Sequence, residues 1–186
     1  KVIGADNKKT LLNTSKLYKS IIKAGVHEVS SIKVAEASKA IENAQRDINI
    51  AFVNEVMMLS KALNIDSNEV LEAAGTKWNF INFKPGLVGG HCIGVDPYYL
   101  AEAGRKVNYK TEIILAGRKV NDSIPNYLYK NIKNKIDKGS RILLLGLTFK
   151  EDLGDIRNSK SAELANKIMK GKFEIDCYDP KANKID

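Results

Sequence analysis

The longest regular pattern in the sequence is a helical repeat of apolar residues over positions 33–63. Apolar side chains recur there at helical spacing, at Val34, Ala37, Ile41, Ala44, Ile48 and Leu59, and no glycine or proline interrupts the segment. Residues spaced in this way share one side of an α-helix. The pattern therefore predicts a single long helix with one apolar and one polar side.

Further helical patterns follow, so the middle of the chain is predicted to be entirely helical. We expect helices over residues 67–74, 97–103 and 109–136, the last of them broken at Pro125. A loop over residues 78–96 interrupts these patterns and holds four of the 13 glycines.

Both ends of the chain combine short strands with single helices. Residues 1–31 are predicted to form a strand at 1–5, a helix at 10–23 and a strand at 29–32. Near the other end, an apolar run at 141–147 is typical of a buried parallel strand. A helix at 159–170 and a strand at 174–178 complete a βαβ unit. Because one such unit cannot cover both faces of a sheet, each end is expected to be part of a larger domain.

The composition is that of a folded globular chain, with 44% hydrophobic and 28% charged residues. The longest apolar run is far shorter than the roughly 20 residues of a membrane span, so we expect no membrane association. The net charge of +8 permits an anionic partner. Because the basic residues are scattered, we favour a solvated surface or a small phosphate-bearing ligand over nucleic acid.

Cysteine and histidine usage limits the redox and metal chemistry. Two thiols, Cys92 and Cys177, in 186 residues favour a reducing compartment such as the cytoplasm over a disulfide scaffold. His27 and His91 form no i, i+4 pair and no Cys-x-x-Cys occurs, so no metal site is predicted. Cys177 falls in a predicted strand and is expected to be a core residue.

The first candidate for chemistry is the glycine-rich segment 85–97, PGLVGGHCIGVDP. Glycine permits sharp turns and close approach of a ligand to the backbone. Cys92 on this loop, beside His91, is a candidate nucleophile in surroundings that can activate a thiol. Asp96, four residues later, could hold a water molecule or accept a proton. A structural turn around a small buried cysteine is the alternative.

The second candidate is a polar stripe on the long helix. At 100° per residue, Asn43, Arg46 and Asn54 lie within about 60° of Lys39 around the helix. A lysine beside an amide can stabilise an alkoxide or a carbonyl oxygen. The alternative is the solvent side of an amphipathic helix, although Ile50 on the same stripe would be unusual for a wholly solvated side.

The third candidate is the charged loop 149–158, FKEDLGDIRN, which follows the apolar strand. Ligands of open α/β sheets bind beyond the carboxyl ends of strands. Lys150 and Arg157 flank this position shortly before a helix N-terminus, which attracts anions. An ordinary charged loop is the alternative. Neither G-x-G-x-x-G nor a P-loop is present, so the sequence offers no recognisable dinucleotide cradle.

Together, three motifs resemble the nucleotide-sugar 6-dehydrogenases of the UDP-glucose/GDP-mannose dehydrogenase family. The strongest is GGHCIGVDPYYL at 89–100. Its histidine before the cysteine resembles the branch that acts on UDP-N-acetylglucosamine or UDP-N-acetylgalactosamine. The other two are EASKAIEN at 36–43 and GLTFKEDLGDIRNS at 146–159.

The resemblance implies a mainly α fold with α/β ends, in three parts. Residues 1–31 would be the tail of an NAD-binding domain. Residues 32–137 would be a central helical dimerisation domain similar to the C-terminal domain of 6-phosphogluconate dehydrogenase. Residues 138–186 would open a Rossmann-like UDP-binding domain. The family's dinucleotide fingerprint has no counterpart here, so we expect the isolated chain to be inactive.

The resemblance also implies the chemistry. A UDP-sugar C6 alcohol would be oxidised to a carboxylate with two NAD⁺ for surface polysaccharide synthesis, through a thiohemiacetal and a thioester on Cys92. Lys39 and Asn43 would stabilise the oxyanions, and Asp96 would orient or activate water. The remaining implied contacts are to the substrate, through Phe83, Gly89 and Lys150, and to the cofactor, through Arg157. The central helix would form a homodimer interface.

Two other classes of protein stay open at this point. A hydroxyacid dehydrogenase helical domain also pairs a lysine with an asparagine one turn apart, but it has no need for a loop cysteine followed by an aspartate four residues later. A non-catalytic dimerisation module is the other alternative.

Overall fold

The architecture is given by a computed structural model that describes residues 1–182. Two small parallel sheets flank a block of helices. The N-terminal region contains β1 (Val2–Ile3), α1 (Lys8–Ile21) and β2 (His27–Glu28). The helical block contains α2 (Ile32–Ala62), α3 (Ser67–Gly75), α4 (Asp96–Lys106) and α5 (Glu112–Lys135). The C-terminal region contains β3 (Arg141–Leu145), α6 (Lys160–Lys170) and β4 (Glu174–Tyr178).

The mainly α fold with α/β ends is confirmed, and helix α2 dominates it. The helix has 31 residues, which corresponds to a length of about 46 Å. The Ser31 side chain caps it by accepting a hydrogen bond from the Val34 backbone N–H. Helices α4 and α5 both pack against α2. The hydrophobic repeat predicted this helix to within one residue at each end.

The buried side of α2 is not the side that its hydrophobic pattern predicts. Asn43, Asp47 and Asn54 are almost fully buried, whereas Ile41 and Leu59 are 57% and 56% exposed. The predicted solvent side therefore carries the core contacts, and part of the apolar side faces outward. The reason is that α4, α5 and the glycine-rich segment cover the polar side.

Helix α5 continues through Pro125, so the predicted break is wrong. Pro125 is buried well inside the helix. Proline has no N–H to donate to the carbonyl of Asn121 one turn earlier, which costs one helical hydrogen bond. The packing of α5 along α2 offsets that loss.

The predicted βαβ unit is confirmed, but its first strand is not buried. Strands β3 and β4 pair in parallel, with Arg141 opposite Glu174. Helix α6 covers one face through a core that includes Leu164, Ile168 and Phe173. Leu143 and Leu145 project from the uncovered face, with 62% and 70% of their surfaces exposed.

The environment of Cys177 and the position of β2 both differ from the prediction. Cys177 on β4 is exposed rather than part of the core, because α6 covers only one face of the two-stranded sheet. At the other end of the chain, β2 pairs in parallel with β1 at residues 27–28, not at 29–32. The α2 helix already begins at Ile32 there.

The centre of the α2–α5 interface is an ionic network. The Arg118 guanidinium donates to Asp47 Oδ1 at 2.6 Å, and both residues are at most 2% exposed. Asn121 donates to the same oxygen at 2.8 Å and to the Asp47 carbonyl at 2.9 Å. Arg118 also donates to Asp122 at 2.6 Å. Burial raises the pKa of Asp47, and the charge of Arg118 opposes that rise.

Among residues 1–182, none of the helices combines the length and hydrophobicity needed to cross a bilayer.

Replacing Arg118 with methionine should strongly destabilise the fold. The substitution leaves the Asp47 charge buried without its cation, which costs about 3–5 kcal/mol of unfolding free energy. Urea denaturation followed by circular dichroism measures the change. The matched control is Arg141→Met, which breaks the Arg141–Asp176 pair at the surface. That change should cost at most about 1 kcal/mol. Equal losses in the two variants would show that the buried pair has no special role.

Candidate functional site

A cleft of about 450 Å³ brings the three candidate segments together. Helix α2 contributes one wall, the glycine-rich segment a second, and the loop after β3 a third. The lining residues are Lys39, Asn43, Arg46, Ile50, Leu87, Val88, Gly89, His91, Cys92, Ile93, Phe149 and Lys150. A larger groove of about 1020 Å³ lies between α2, α3 and α5, and none of the predicted site residues lines it.

Cys92 is an exposed thiol in the turn that leads into α4. Its backbone carbonyl accepts hydrogen bonds from the backbone N–H groups of Val95 at 3.0 Å and Asp96 at 2.8 Å. The turn is thereby tied to the first residue of the helix. The alternative of a small buried cysteine in a structural turn is wrong for Cys92.

Two glycines let the loop after β3 close over the Cys92 turn. Gly90 has φ +83°, a conformation that side chains disfavour, and a Cβ there would lie 2.5 Å from the Phe149 ring. A Cβ on Gly89 would lie 2.4 Å from the Asn158 carbonyl oxygen. The Gly90 N–H donates to that oxygen at 3.2 Å. The sequence predicted glycine here so that a ligand could approach the backbone closely. In the structure it is the loop after β3 that approaches Gly89 and Gly90.

Lys39, Asn43 and Asp96 form a chain of polar contacts from α2 to α4. The Lys39 ammonium donates to Asn43 Oδ1 at 3.3 Å and also pairs with Glu42. The Asn43 amide nitrogen donates to Asp96 Oδ2 at 2.6 Å. Because Asn43 is 2% exposed and bonded at both ends, its amide has a fixed orientation. The sequence placed Lys39 and Asn43 on one helical stripe and Asp96 on a separate segment, and the structure brings all three together.

Asn54, the second amide of the predicted stripe, does not line the cleft and instead holds other parts of the structure together. Its Oδ1 accepts from the Gly86 N–H at 2.8 Å, and its Nδ2 donates to the Gly86 carbonyl at 2.9 Å. The same Nδ2 donates to Asn121 at 2.8 Å. Asn54 therefore fastens the beginning of the glycine-rich segment to α2 and links it to the buried ionic network. Arg46 lines the cleft and pairs with Glu42.

The loop 149–158 places Lys150 in the cleft and Arg157 outside it. Arg157 is largely exposed and makes a bidentate contact with Asp155. Asp155 Oδ2 also lies 2.8 Å from His91 Nε2. Hydrogen bonds from Arg157 and from His91 hold the pKa of Asp155 well below its usual range. Asp155 is not among the residues that the sequence pattern singled out, and its carboxylate adds a side-chain link between this loop and the Cys92 turn.

Asp179 anchors the start of the same loop and was also missed. Its carboxylate accepts from the backbone N–H groups of Leu147 at 2.7 Å and Thr148 at 2.9 Å. Hydrogen bonds from Thr148 and Leu147 lower the pKa of Asp179 well below its usual range. An aspartate at the carboxyl end of β4 was the available signal, because that end adjoins the carboxyl end of β3 in a parallel sheet.

Of the remaining predicted site residues, some line the cleft and others do not. Phe83 is partly buried and is not among the residues that line the cleft. Gly89 and Lys150 line it, whereas Asp96 reaches it through Asn43. Within residues 1–182 no group of three or more His, Cys, Asp or Glu side chains is arranged to hold a metal ion.

Two domain models of one family match the chain. The central domain of the UDP-glucose/GDP-mannose dehydrogenase family matches residues 33–123, and the UDP binding domain of that family matches residues 143–186. The chain belongs to the UDP-glucose/GDP-mannose dehydrogenase family. The motifs around Lys39 and Cys92 lie within the first match, and Lys150 and Arg157 lie within the second.

The chain is similar to curated bacterial proteins over almost its whole length. Protein CapL from Staphylococcus aureus is 47% identical over 99% of this chain and 45% of its own length. UDP-N-acetyl-D-glucosamine 6-dehydrogenase from Pseudomonas aeruginosa is 50% identical over 88% of this chain and 40% of its own length. The chain thus spans less than half the length of these curated relatives.

Solved structures show the same fold. The native structure of the UDP-N-acetyl-mannosamine dehydrogenase Cap5O from Staphylococcus aureus matches with a TM-score of 0.80 and 30% identity. That match covers 99% of this chain and 43% of the solved chain. A UDP-glucose dehydrogenase from Pyrobaculum islandicum gives a TM-score of 0.85 and 27% identity over 96% of this chain and 42% of its own.

Acid should weaken the fold through Asp179. Because its pKa is lowered in the folded state, the ionised carboxylate stabilises the fold at neutral pH, and this contribution is lost as the pH falls below about 4. Asp179→Asn should therefore be less stable than the wild type at about pH 7, and the difference should shrink at about pH 3. Urea denaturation at both pH values measures it.

The control for this comparison is Asp152→Asn, since Asp152 is an exposed carboxylate of the adjoining loop with one distant partner, Lys181 at 3.5 Å. The unfolding free energy of Asp152→Asn should stay close to that of the wild type at both pH values. A constant gap between Asp179→Asn and the wild type at both pH values would contradict the assignment.

Proposed function

We propose that this chain supplies the nucleophile and the oxyanion-stabilising groups of an NAD-dependent nucleotide-sugar 6-dehydrogenase. The reaction is oxidation of the C6 alcohol of a UDP-N-acetylhexosamine to a carboxylate. The observation that carries the proposal is the exposed Cys92 thiol, which shares one cleft with Lys39 and the buried amide of Asn43. Similarity to an enzyme named UDP-N-acetyl-D-glucosamine 6-dehydrogenase supports the choice of an N-acetylhexosamine.

Cys92 acts as the covalent nucleophile. Its thiolate adds to the C6 aldehyde, so that a carbon–sulfur bond forms and the carbonyl oxygen becomes an oxyanion. This thiohemiacetal converts a difficult oxidation of an aldehyde into loss of hydride from a carbon that already carries both sulfur and oxygen. The position of Cys92 in the turn before α4 leaves the sulfur accessible to a ligand in the cleft.

Lys39 and Asn43 stabilise the oxyanion. The Lys39 ammonium supplies a positive charge at the cleft wall. The Asn43 amide nitrogen carries two hydrogens, and its contact with Asp96 uses one of them. The other is available to an oxyanion. Since Asn43 is already fixed by contacts at both ends of its amide, little reorganisation is needed when the charge develops.

Asp96 assists the hydrolysis that releases the acid. Its Oδ2 is occupied by Asn43, and its Oδ1 accepts a proton from a water molecule that attacks the thioester carbon. The carbon–sulfur bond then breaks, and the Cys92 thiolate leaves. The contact with Asn43 keeps this carboxylate next to the oxyanion-stabilising groups.

Cations in the cleft favour a substrate that carries phosphate groups. Lys150, Arg46 and Lys39 all line it. Their charges attract a nucleoside diphosphate. We assign Lys150 to the substrate, because its loop lies in the segment that matches the family's UDP binding domain. We also assign Gly89 to the substrate, because it lines the same cleft.

The two oxidations each remove a hydride, which is the chemistry that NAD⁺ supplies in this family. Residues 1–182 do not fit as a dinucleotide cradle. Asn7 caps α1 with its own side chain, and a Cβ on Gly4 would lie 2.1 Å from the Ser31 carbonyl oxygen, so this glycine packs on protein. The exposed Arg157 guanidinium is suited to contact an anionic group such as a pyrophosphate.

The proposed organisation follows from these assignments. Residues 1–31 are the end of an NAD-binding domain, residues 32–137 the central domain and residues 138–186 the beginning of the UDP-binding domain. Two exposed free thiols suit the reducing cytoplasm. A uronic acid linked to UDP is a glycosyl donor, so we place the product in surface polysaccharide synthesis.

Cys92→Ala should abolish acid formation. The chain is expressed in place of the matching 40% of the Pseudomonas aeruginosa relative, and a panel of UDP-hexosamines is offered. Oxidation of an alcohol to an acid removes two hydrides, so two NADH should form per sugar. The substitution should lower the rate of acid formation by roughly a millionfold, below detection, as loss of a covalent nucleophile does in a well-studied hydrolase.

Cys177→Ala is the matched control for this test and should leave the rate unchanged, because that thiol lies on β4, away from the cleft. If Cys92→Ala still formed the acid, or one NADH formed per sugar, the thioester route would be wrong. The hydroxyacid dehydrogenase alternative would then be favoured.

We also propose that α2 forms a homodimer interface. Ile41, Phe52 and Leu59 are each more than half exposed, and at 100° per residue they fall within about 20° of one another on the helix. Val34 lies on the same stripe and is also exposed. A long, exposed apolar stripe on a helix is suited to pack against a second copy of itself.

The double substitution Ile41→Lys/Leu59→Lys should convert a dimer to a monomer, since two charges per copy would have to be buried at the interface. Size-exclusion chromatography with light scattering measures the mass. Val107→Lys, at an apolar position that is 73% exposed outside α2, is the control and should stay dimeric. A wild-type chain that is monomeric at every concentration, or a double variant that stays dimeric, would refute this interface.

A further inference from the structure

The proposed mechanism leaves a histidine–carboxylate pair at the cleft unused. His91 precedes Cys92 in sequence, and both residues line the cleft. His91 Nε2 lies 2.8 Å from Asp155 Oδ2. An ionised carboxylate can only accept hydrogen bonds, so Nε2 must carry the proton in this contact. In the neutral ring, Nδ1 is then left as a proton acceptor.

Asp155 is a rigid acceptor because its own loop holds it. Oδ1 accepts from the Arg157 backbone N–H at 2.9 Å and from Arg157 Nε at 3.0 Å. Oδ2 accepts from Arg157 Nη2 at 2.7 Å. The carboxylate cannot rotate without breaking several charge-assisted bonds. Hydrogen bonds from Arg157 and His91 also lower the pKa of Asp155, so the group is ionised at neutral pH.

The His91 ring is fixed from a second direction. It packs edge-to-face against Phe149, with the ring centroids 5.5 Å apart and the planes at 85°. Phe149 belongs to the same loop as Asp155 and lies against Gly90. His91 belongs to the Cys92 turn, but both contacts that orient its ring, the polar one and the aromatic one, come from the loop after β3.

We infer that Asp155 is a positioning residue that holds His91 with Nε2 protonated, so that Nδ1 can take the proton of the Cys92 thiol. The inference rests on the proposed function, in which Cys92 is the nucleophile. The step is a proton transfer alone. The S–H bond of Cys92 breaks, the proton passes to Nδ1 of His91, and the sulfur keeps the electron pair as a thiolate.

Asp155→Asn should reverse the His91 tautomer while keeping the shape of the side chain. The amide oxygen is expected to stay at the Oδ1 position, because the Arg157 backbone N–H that points there belongs to the same turn and cannot swing away. The exposed Arg157 side chain, which also donates to Oδ2, can turn away from an amide NH₂ at that position. The amide NH₂ then faces His91, and Nε2 must become the acceptor. The proton moves to Nδ1, as it does when the aspartate beside a catalytic histidine is replaced by asparagine.

Two measurements on the 186-residue chain test this, in a Cys177→Ser background that removes the second exposed thiol. Nitrogen-15 NMR of the His91 ring at about pH 8 reports which nitrogen is protonated in the neutral form. The rate of Cys92 alkylation by iodoacetamide reports thiolate availability. We expect Asp155→Asn to move the proton to Nδ1 and to slow alkylation by about tenfold, the effect of one charge-assisted hydrogen bond. Asp152→Asn, the same change in an exposed position of the same loop, should alter neither.

A second variant separates positioning from folding. His91→Gln removes the proton acceptor and should slow alkylation about as much as Asp155→Asn does, and the double variant should be no slower than either single one. An unchanged tautomer, an unchanged alkylation rate or additive effects in the double variant would each overturn the inference. Because alkylation needs neither a sugar nucleotide nor NAD⁺, these results do not depend on whether the 6-dehydrogenase assignment is correct.

Discussion

The buried pair of Asp47 and Arg118 is the constraint from which the rest of the structure follows. It joins α2 to α5 in the interior, where an unpaired charge would be costly. Asn121 adds hydrogen bonds to the same carboxylate and connects it to Asn54, which in turn holds Gly86. The glycine-rich segment is therefore attached to the most deeply buried polar group of the helical block. Its distance from α2, and with it the width of the cleft, is set by this series of contacts.

The cleft exists because two segments that are distant in sequence meet at two adjacent glycines. Side chains at Gly89 or Gly90 would collide with the loop after β3. That loop is fixed at its start by Asp179 and in its middle by Asp155, and each of these carboxylates is stabilised by several donors. Both are held in their ionised form by the fold. The consequence is that Lys150 and Cys92 line the same cavity although they belong to different regions of the chain.

Sequence periodicity predicted the helices well and their environments poorly. The bounds of α2 and the βαβ unit could be predicted because local spacing decides them. The buried side of α2 could not be predicted, because Asn43, Asp47 and Asn54 form hydrogen bonds with partners more than 30 residues away. Cys92 and Asp96 could be singled out on the glycine-rich segment, and Lys39 and Asn43 on the polar stripe of the long helix, whereas their separate roles were implied by the family resemblance. The contacts of Asp155 and Asp179 join segments that are distant in sequence. The residue pattern of a single segment carries no information about such contacts. The exposure of Cys177 likewise depends on what covers the second face of a sheet.

The two ends of the Asn43 amide are not interchangeable, since the oxygen faces an ammonium group and the nitrogen faces a carboxylate. Spontaneous hydrolysis of that amide during ageing would turn it into an aspartate. A second negative charge would then stand against Asp96, and the contact between α2 and α4 would become repulsive. The regular helical backbone around Asn43 hinders the cyclisation by which asparagine deamidates. The same helix that presents the amide to the cleft thus also protects it from chemical damage.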